Sequence, residues 1–282
     1  MGTGALVTTP LIAKGTPIEE PYRLSLNEEA EIVGFNHIKN EKSAIMKNAI
    51  LHKADSRGHA DHGWLKTYHS FSFANYYNPD RMHFGALRVL NDDFIAPGRG
   101  FGMHPHKDME IITIPLDGDL AHKDNMGNSS IIKNGDVQVM SAGTGVRHSE
   151  FNSNNDKEVK LLQIWVFPNK KNVKPRYDQM TLSVQERKNK FQQILSPNAD
   201  DAGVWIHQRA WFHLADFDAG RKERYAIKHA NNGAYVFLLD GKAKVAGVEL
   251  SARDAIGVWD VSNVDFEITE KTSLLVMDIP MK

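Results

Sequence analysis

The rhythm of its apolar runs is what most limits the fold of this chain. From about residue 64 onward, short apolar stretches recur at intervals of about 8–12 residues, each closed by a turn signal, which is the pattern of an all-β protein. The first half carries FGALRVL (84–90), MEIITI (109–114), DVQVM (136–140) and EVKLLQIWVF (158–167). The second carries VWIHQRAWFHLADF (204–217), AYVFLLDG (234–241), KAKVAGVEL (242–250), AIGVWD (255–260) and SLLVMDI (273–279). Asn91-Asp92-Asp93 and Pro97-Gly98 are expected to end the first run. Asp117-Gly118 is a hairpin pair, and Met126-Gly127-Asn128 and Asn134-Gly135 mark further turns. Residues 168–190, with Pro168, Pro175 and many Lys and Asn, read as a linker, with one helix expected around 183–194.

The two halves echo each other. Leu116-Asp117-Gly118 closes a strand in the first, and Leu239-Asp240-Gly241 closes one in the second. Gly135-Asp136 and Arg253-Asp254 each precede the next run. The expected fold class is therefore all-β, with two tandem antiparallel barrels: an extension over 1–45, a first barrel over 46–180 and a second over 181–282. The extension has no sustained period, and Met46 is an alternative start. The opening MGTGALVTTPLIA lacks a basic beginning and meets Lys14 at once, so no signal peptide is expected. Leu6 stands where a myristoylation motif needs Ser or Thr.

Composition excludes several functions. A net charge of −1 gives no global basic field, so direct nucleic-acid binding is not expected. No run of about 18 apolar residues occurs, so neither is a membrane span. The chain has no cysteine, which removes disulfides, thiolate metal sites and cysteine nucleophiles together. That fits a reducing compartment, and the expected location is the cytoplasm. Histidine is then the main soft ligand, and 9 of the 13 histidines lie between residues 46 and 151.

Two segments concentrate the chemistry: GRGFGMHPHKDME (98–110) and SAGTGVRHSEFN (141–152). Residues two apart on a strand share a face, so His104 and His106 point together, as do His148 and Glu150. If the segments pair, the four donors converge inside the first barrel. Three imidazoles and a carboxylate suit Fe, Mn, Co, Ni, Cu or Zn and are poor for Ca or Mg. Glycines flank both segments (Gly98, Gly100, Gly102; Gly143, Gly145), and Pro105 places the first at a strand start or an edge. His59, His62, His69 and His83, amid Trp64, Phe71, Phe73, Tyr76 and Tyr77, read as core and wall residues. No phosphate loop, dinucleotide fingerprint or nucleophile elbow occurs.

Gly98, His104, His106 and Glu110 resemble the first cupin motif, with Gly118 one residue late. Gly135, Gly143, His148 and Asn152 resemble the second, with Ser141 in place of its proline and a longer Gly-to-His gap. These departures, together with GWLKTYHSFSFANYYNPDRM (63–82), resemble the pirin branch of the cupins over roughly residues 50 to 282. Lys107, Asp108 and Met109 depart from the Arg-Gly-Phe of many pirins. The resemblance implies two double-stranded β-helix (jelly-roll) barrels. It also implies one divalent transition metal, iron(II) first and Ni, Co, Mn, Cu or Zn as alternatives, on His104, His106, His148 and Glu150. It further implies a quercetinase-type dioxygenase acting on a phenolic flavonol and O2, with Glu150 as general base. Glu110 is expected beside the metal ligands, orienting a histidine or a water. The alternatives are a metal- or redox-responsive regulator that binds a protein partner, and an isomerase-type zinc or nickel cupin. Aligning the Leu-Asp-Gly turns puts Ile227, His229 and Gly233 at the places of His104, His106 and Glu110. The second barrel is thus expected to lack the ligand set, with His207, His213 and His229 as surface or satisfied core residues.

Overall fold

The computed structural model describes residues 48–282. The extension, the alternative start at Met46 and the leader reading lie outside the described residues. Four antiparallel sheets make up the described part, with one parallel pair at an edge. In the first barrel a seven-stranded sheet runs Arg176–Thr181, Asp136–Ser141, Glu110–Asp117, Val159–Val166, Leu87–Ile95, Leu65–His69, Gly58–Asp61. A four-stranded sheet faces it: Gly100–His106, Val146–Asn152, Leu120–Asp124, Ser129–Ile132. The second barrel repeats the plan. Its seven-stranded sheet is Ala49–His52, Ala255–Val258, Asn232–Asp240, Thr272–Pro280, Trp211–Phe217, Gln192–Ser196, Val204–Trp205. Its four-stranded sheet is Lys222–Ala226, Asn263–Ile268, Lys242–Val245, Val248–Ser251.

The outer faces of the two large sheets pack on each other. Leu90, Ile112, Ile114, Leu162 and Ile164 of the first meet Phe212, Tyr235, Phe237, Leu275 and Met277 of the second in one buried cluster. Each large sheet is therefore apolar toward its twin and is free to be polar or apolar toward its own interior. Asp136–Ser141, buried at all six positions, shows this two-sided covering.

Four expectations need correction. Asn91, Asp92 and Asp93 do not end a strand; they are buried in the middle of Leu87–Ile95. Asn91 and Asp93 face a polar barrel interior, while Asp92 is held by Arg57 and Arg253, each at 3.2 Å. Turn propensity loses here to burial with partners. The helix expected around 183–194 is a 3-10 turn, Val184–Arg187, followed by the strand Gln192–Ser196. The run 204–217 is two strands rather than one. Finally, Ala49–His52 pairs with Ala255–Val258, so the first strand described completes the second barrel and not the first.

A candidate metal centre in the first barrel

The strands Gly100–His106 and Val146–Asn152 pair antiparallel with His104 opposite His148 and His106 opposite Val146. Cross-strand partners share a face, so the imidazoles are thrown together. The His104 and His148 rings lie 4.4 Å apart between centroids, His104 and His106 4.8 Å, and His106 and His148 4.9 Å. His106 Nε2 is 3.0 Å from His148 Nε2. Close strand approach requires glycine at one position: a Cβ on Gly100 would stand 2.1 Å from the Glu150 carbonyl oxygen. Pro105 lies on the edge strand with its face to solvent, where its missing N–H costs the ladder nothing.

Glu150 comes from the same strand as His148, two residues on, and both are buried. Gln163 Nε2 donates to one carboxylate oxygen at 2.9 Å, and Thr113 Oγ1 lies 3.3 Å from the other. Thr113 Oγ1 is also 3.1 Å from Gln163 Oε1, and its single proton serves one of the two at a time. These side chains belong to a polar row across the inner face of the large sheet, in register from Gln138 through Thr113, Gln163 and Asn91 to His69. His69 Nδ1 and Asn91 Oδ1, 2.8 Å apart, close its far end. Asp93, one pleat below, is pushed up to about 7 by burial, with Asp92 and Glu150 adding to the rise against a Thr67 hydrogen bond.

Burial, and then the neighbouring imidazoles, hold His106 down at about 3 and His148 at about 2. Both rings are thus neutral near pH 7, with lone pairs available. His104 is oriented by its Nδ1, which lies 2.8 Å from the Gly102 carbonyl, leaving Nε2 clear. His148 Nδ1 is buried without a protein partner, as are His122 Nδ1 and Trp165 Nε1. An orphaned buried polar atom costs roughly 1–3 kcal/mol until a partner arrives.

His104, His106 and His148 offer donor atoms all within 4.8 Å of one another. Glu150 enters a second such group, with His148 and His122. The sequence reading missed His122. Its signal was present: Leu120, His122 and Asp124 alternate inward on the strand after the Asp117-Gly118 hairpin, and His122 stands directly opposite Glu150. Thr113 and Gln163 were also missed, because their runs read as plain apolar strands.

Glu110 is not beside the histidines. Its strand begins after a bend at Asp108 (φ +47°) that carries the chain from the small sheet to the large one, so counting by twos from His106 fails. Glu110 shares the face of Ile112 and Ile114 toward the second barrel, where its carboxylate accepts from Ser141 Oγ at 2.6 Å. Burial lifts it to about 7, against the Ser141 bond, the His207 backbone and Arg176. Of the remaining histidines, His59 stacks on Tyr68 at 4.7 Å and His83 Nδ1 lies 2.9 Å from the Gly85 carbonyl.

Two packed antiparallel barrels, with a cluster of inward imidazoles and a carboxylate in the first, define a bicupin. The chain matches the Pirin family model over residues 51–166 and the model of the Quercetinase C-terminal cupin domain over 193–279. It is 40% identical to a quercetin 2,3-dioxygenase of Escherichia coli K12, over 82% of this chain and 98% of that protein. It is 42% identical to a pirin-like protein of Caulobacter vibrioides, over 79% and 96%. The crystal structure of the Escherichia coli pirin YhhW in complex with nickel(II) superposes with a TM-score of 0.78 at 40% identity, covering 82% of this chain and 99% of that one. The chain belongs to the pirin family. No helix among the described residues is long and apolar enough to cross a membrane.

Proposed function

We propose that this pirin is a quercetin 2,3-dioxygenase that opens flavonol rings with O2. Its single transition-metal ion, iron(II) in our reading, is held by His104, His106, His148 and Glu150. The observation that carries the proposal is the meeting of three imidazoles across one strand pair with a buried, hydrogen-bonded carboxylate beside them. The donor set fits a cation: two of the rings are held neutral, and His148 Nδ1 is buried without a partner. The relatives named quercetin 2,3-dioxygenase, and the nickel(II) complex of YhhW, support both the reaction and the metal. The absence of cysteine supports a cytoplasmic location.

When bound, such an ion supplies Lewis-acid and redox chemistry at the point where flavonol and O2 meet. The protein's own part is positional and protonic. Glu150 accepts the proton of the flavonol 3-hydroxyl, and Gln163 and Thr113 hold its carboxylate in place. Ile111, Met140, Ala142 and Val146, with Met109 and Trp165 packed on them, form an apolar wall at the His106 side. Trp165 stands edge-on to His106 at 5.0 Å. This wall receives the flat aromatic substrate and keeps water away from it.

The test is oxygen uptake with quercetin by iron(II)-loaded protein, with His104→Ala as control. We expect consumption that depends on quercetin and is lost in the variant. Uptake that survives the substitution would refute the site. Metal binding without turnover of any of a panel of phenolics would refute the reaction.

A further inference from the structure

We propose that His122 is a metal ligand, part of an inner cation position with His148 and Glu150, so that the barrel offers two overlapping stations to one ion. The inference rests on the metal reading above and extends it deeper into the barrel. One donor atom each from His122, His148 and Glu150 lie within 4.8 Å of one another, and all three residues are buried. His148 is common to this group and to the group with His104 and His106, so the two stations meet at one imidazole.

The surroundings of His122 are those of a held ligand. Its Nε2 faces Asp124 Oδ2 at 3.3 Å, and Asp124 is itself fixed by the Met126 and Asn128 backbone N–H groups and by Asn128 Nδ2 at 2.8 Å. A carboxylate on one ring nitrogen leaves the lone pair of the other for a metal, the usual outer arrangement of a ligating histidine. That other nitrogen, Nδ1, is buried with no partner in the protein. The Tyr177 ring lies 4.7 Å from the imidazole, and Tyr177 Oη is bonded to Ser130 and Gln179, so the ring is boxed in.

The stations differ in access. His104 and His106 lie on the sheet's edge strand and are part-exposed, whereas the His122 group is buried at every member. An ion entering the barrel would meet His104 and His106 first, with His122 on the buried side of His148 and Glu150.

Cobalt(II), titrated against wild type and variants and read by visible absorption and by metal content after gel filtration, separates the two. In His104→Ala/His106→Ala the inner group is intact, so one cobalt(II) should still bind, more weakly than in wild type. Adding His122→Ala should weaken that residual binding by about tenfold or more and change the absorption spectrum. His122→Asn, which keeps a ligand atom near the place of Nδ1, should recover part of it. Loss of all binding in the double variant, with its circular dichroism unchanged, would overturn this inference, as would identical titrations with and without His122. In both cases wild type still binds and the outer site stands. Failure of wild type to bind cobalt(II) at all would overturn the metal reading and this one together.

Discussion

The two barrels have the same strand order and opposite interiors. Ladder registers set the correspondence: Tyr225 faces Val264 as His104 faces His148, and Phe266 pairs with Val245 as Glu150 pairs with His122. On the large sheet, Ile256, Val236 and Val276 occupy one row, as Gln138, Thr113 and Gln163 do in the first barrel. At these positions polar residues of the first barrel face apolar ones in the second, apart from Tyr225. The inside of the second barrel is mostly one apolar cluster that includes Phe217, Tyr225, Val236, Val245, Val264 and Phe266, with buried His213 and Asp278 gathered at the Tyr225 hydroxyl. The inside of the first is split into an apolar floor around Leu65, Ile95, Leu120 and Leu161, a polar middle and an apolar wall by His106. One backbone plan thus serves as stabilising ballast in one copy and as a metal-binding cup in the other. The side chains decide which, because the outer faces of the large sheets already secure the packing.

Placing the second barrel's residue into the first should break the contrast most severely. His148→Val, its counterpart being Val264, should lower metal affinity by more than the about 10–100-fold typical of losing an outer partner, leaving the fold intact by circular dichroism. Glu150→Gln keeps the shape and an oxygen to accept from Gln163 but removes the base. Quercetin-dependent oxygen uptake should then fall about 10²–10⁴-fold in protein with matched metal content. Truncating the counterpart of Glu150, Phe266→Ala, should cost about 3–5 kcal/mol in urea unfolding with metal stoichiometry unchanged. Loss of metal in that variant would show that the barrels are not separable in role.

The smallest effect is one of pH. Asp93 has its folded value raised to about 7 from a carboxylate's ordinary 3.8. In the native state it stays protonated across a range where the unfolded chain has released its proton. Its contribution is complete below about 4 and is lost as pH rises through 7. Asp93→Asn does not titrate, so its stability relative to wild type should be greater at pH 8 than at pH 5. A difference that is flat with pH would contradict the assignment.

The parts legible in the sequence share one physical basis: local alternation. His104 with His106, and His148 with Glu150, were placed together by counting in twos along strands that stay regular, and the Leu-Asp-Gly turns revealed the repeat. Counting failed wherever the chain changed sheet. The bend at Asp108 reversed the face of Glu110. The loop after Ala226 is two residues longer than the one after His106, relative to the strands that follow. The structural counterpart of His104 is consequently Tyr225, with Ile227 merely packed at the edge of the second core. Asn91 and Asp93 were read as a turn because nothing local says that the interior they face is polar; that depends on strands 22 to 72 residues away, at His69, Thr113 and Gln163. The exchange of Ala49–His52 into the second barrel has no local signal at all.

The division of labour between the barrels is tested most directly by the anomalous diffraction of a crystal of the metal-loaded protein. One strong peak per chain is expected, in the first barrel, bounded by His104, His106, His148 and Glu150 with His122 at its inner side, at about 2.0–2.2 Å from the coordinating atoms. A peak inside the second barrel, or density only at surface histidines with the first barrel unliganded, would contradict it.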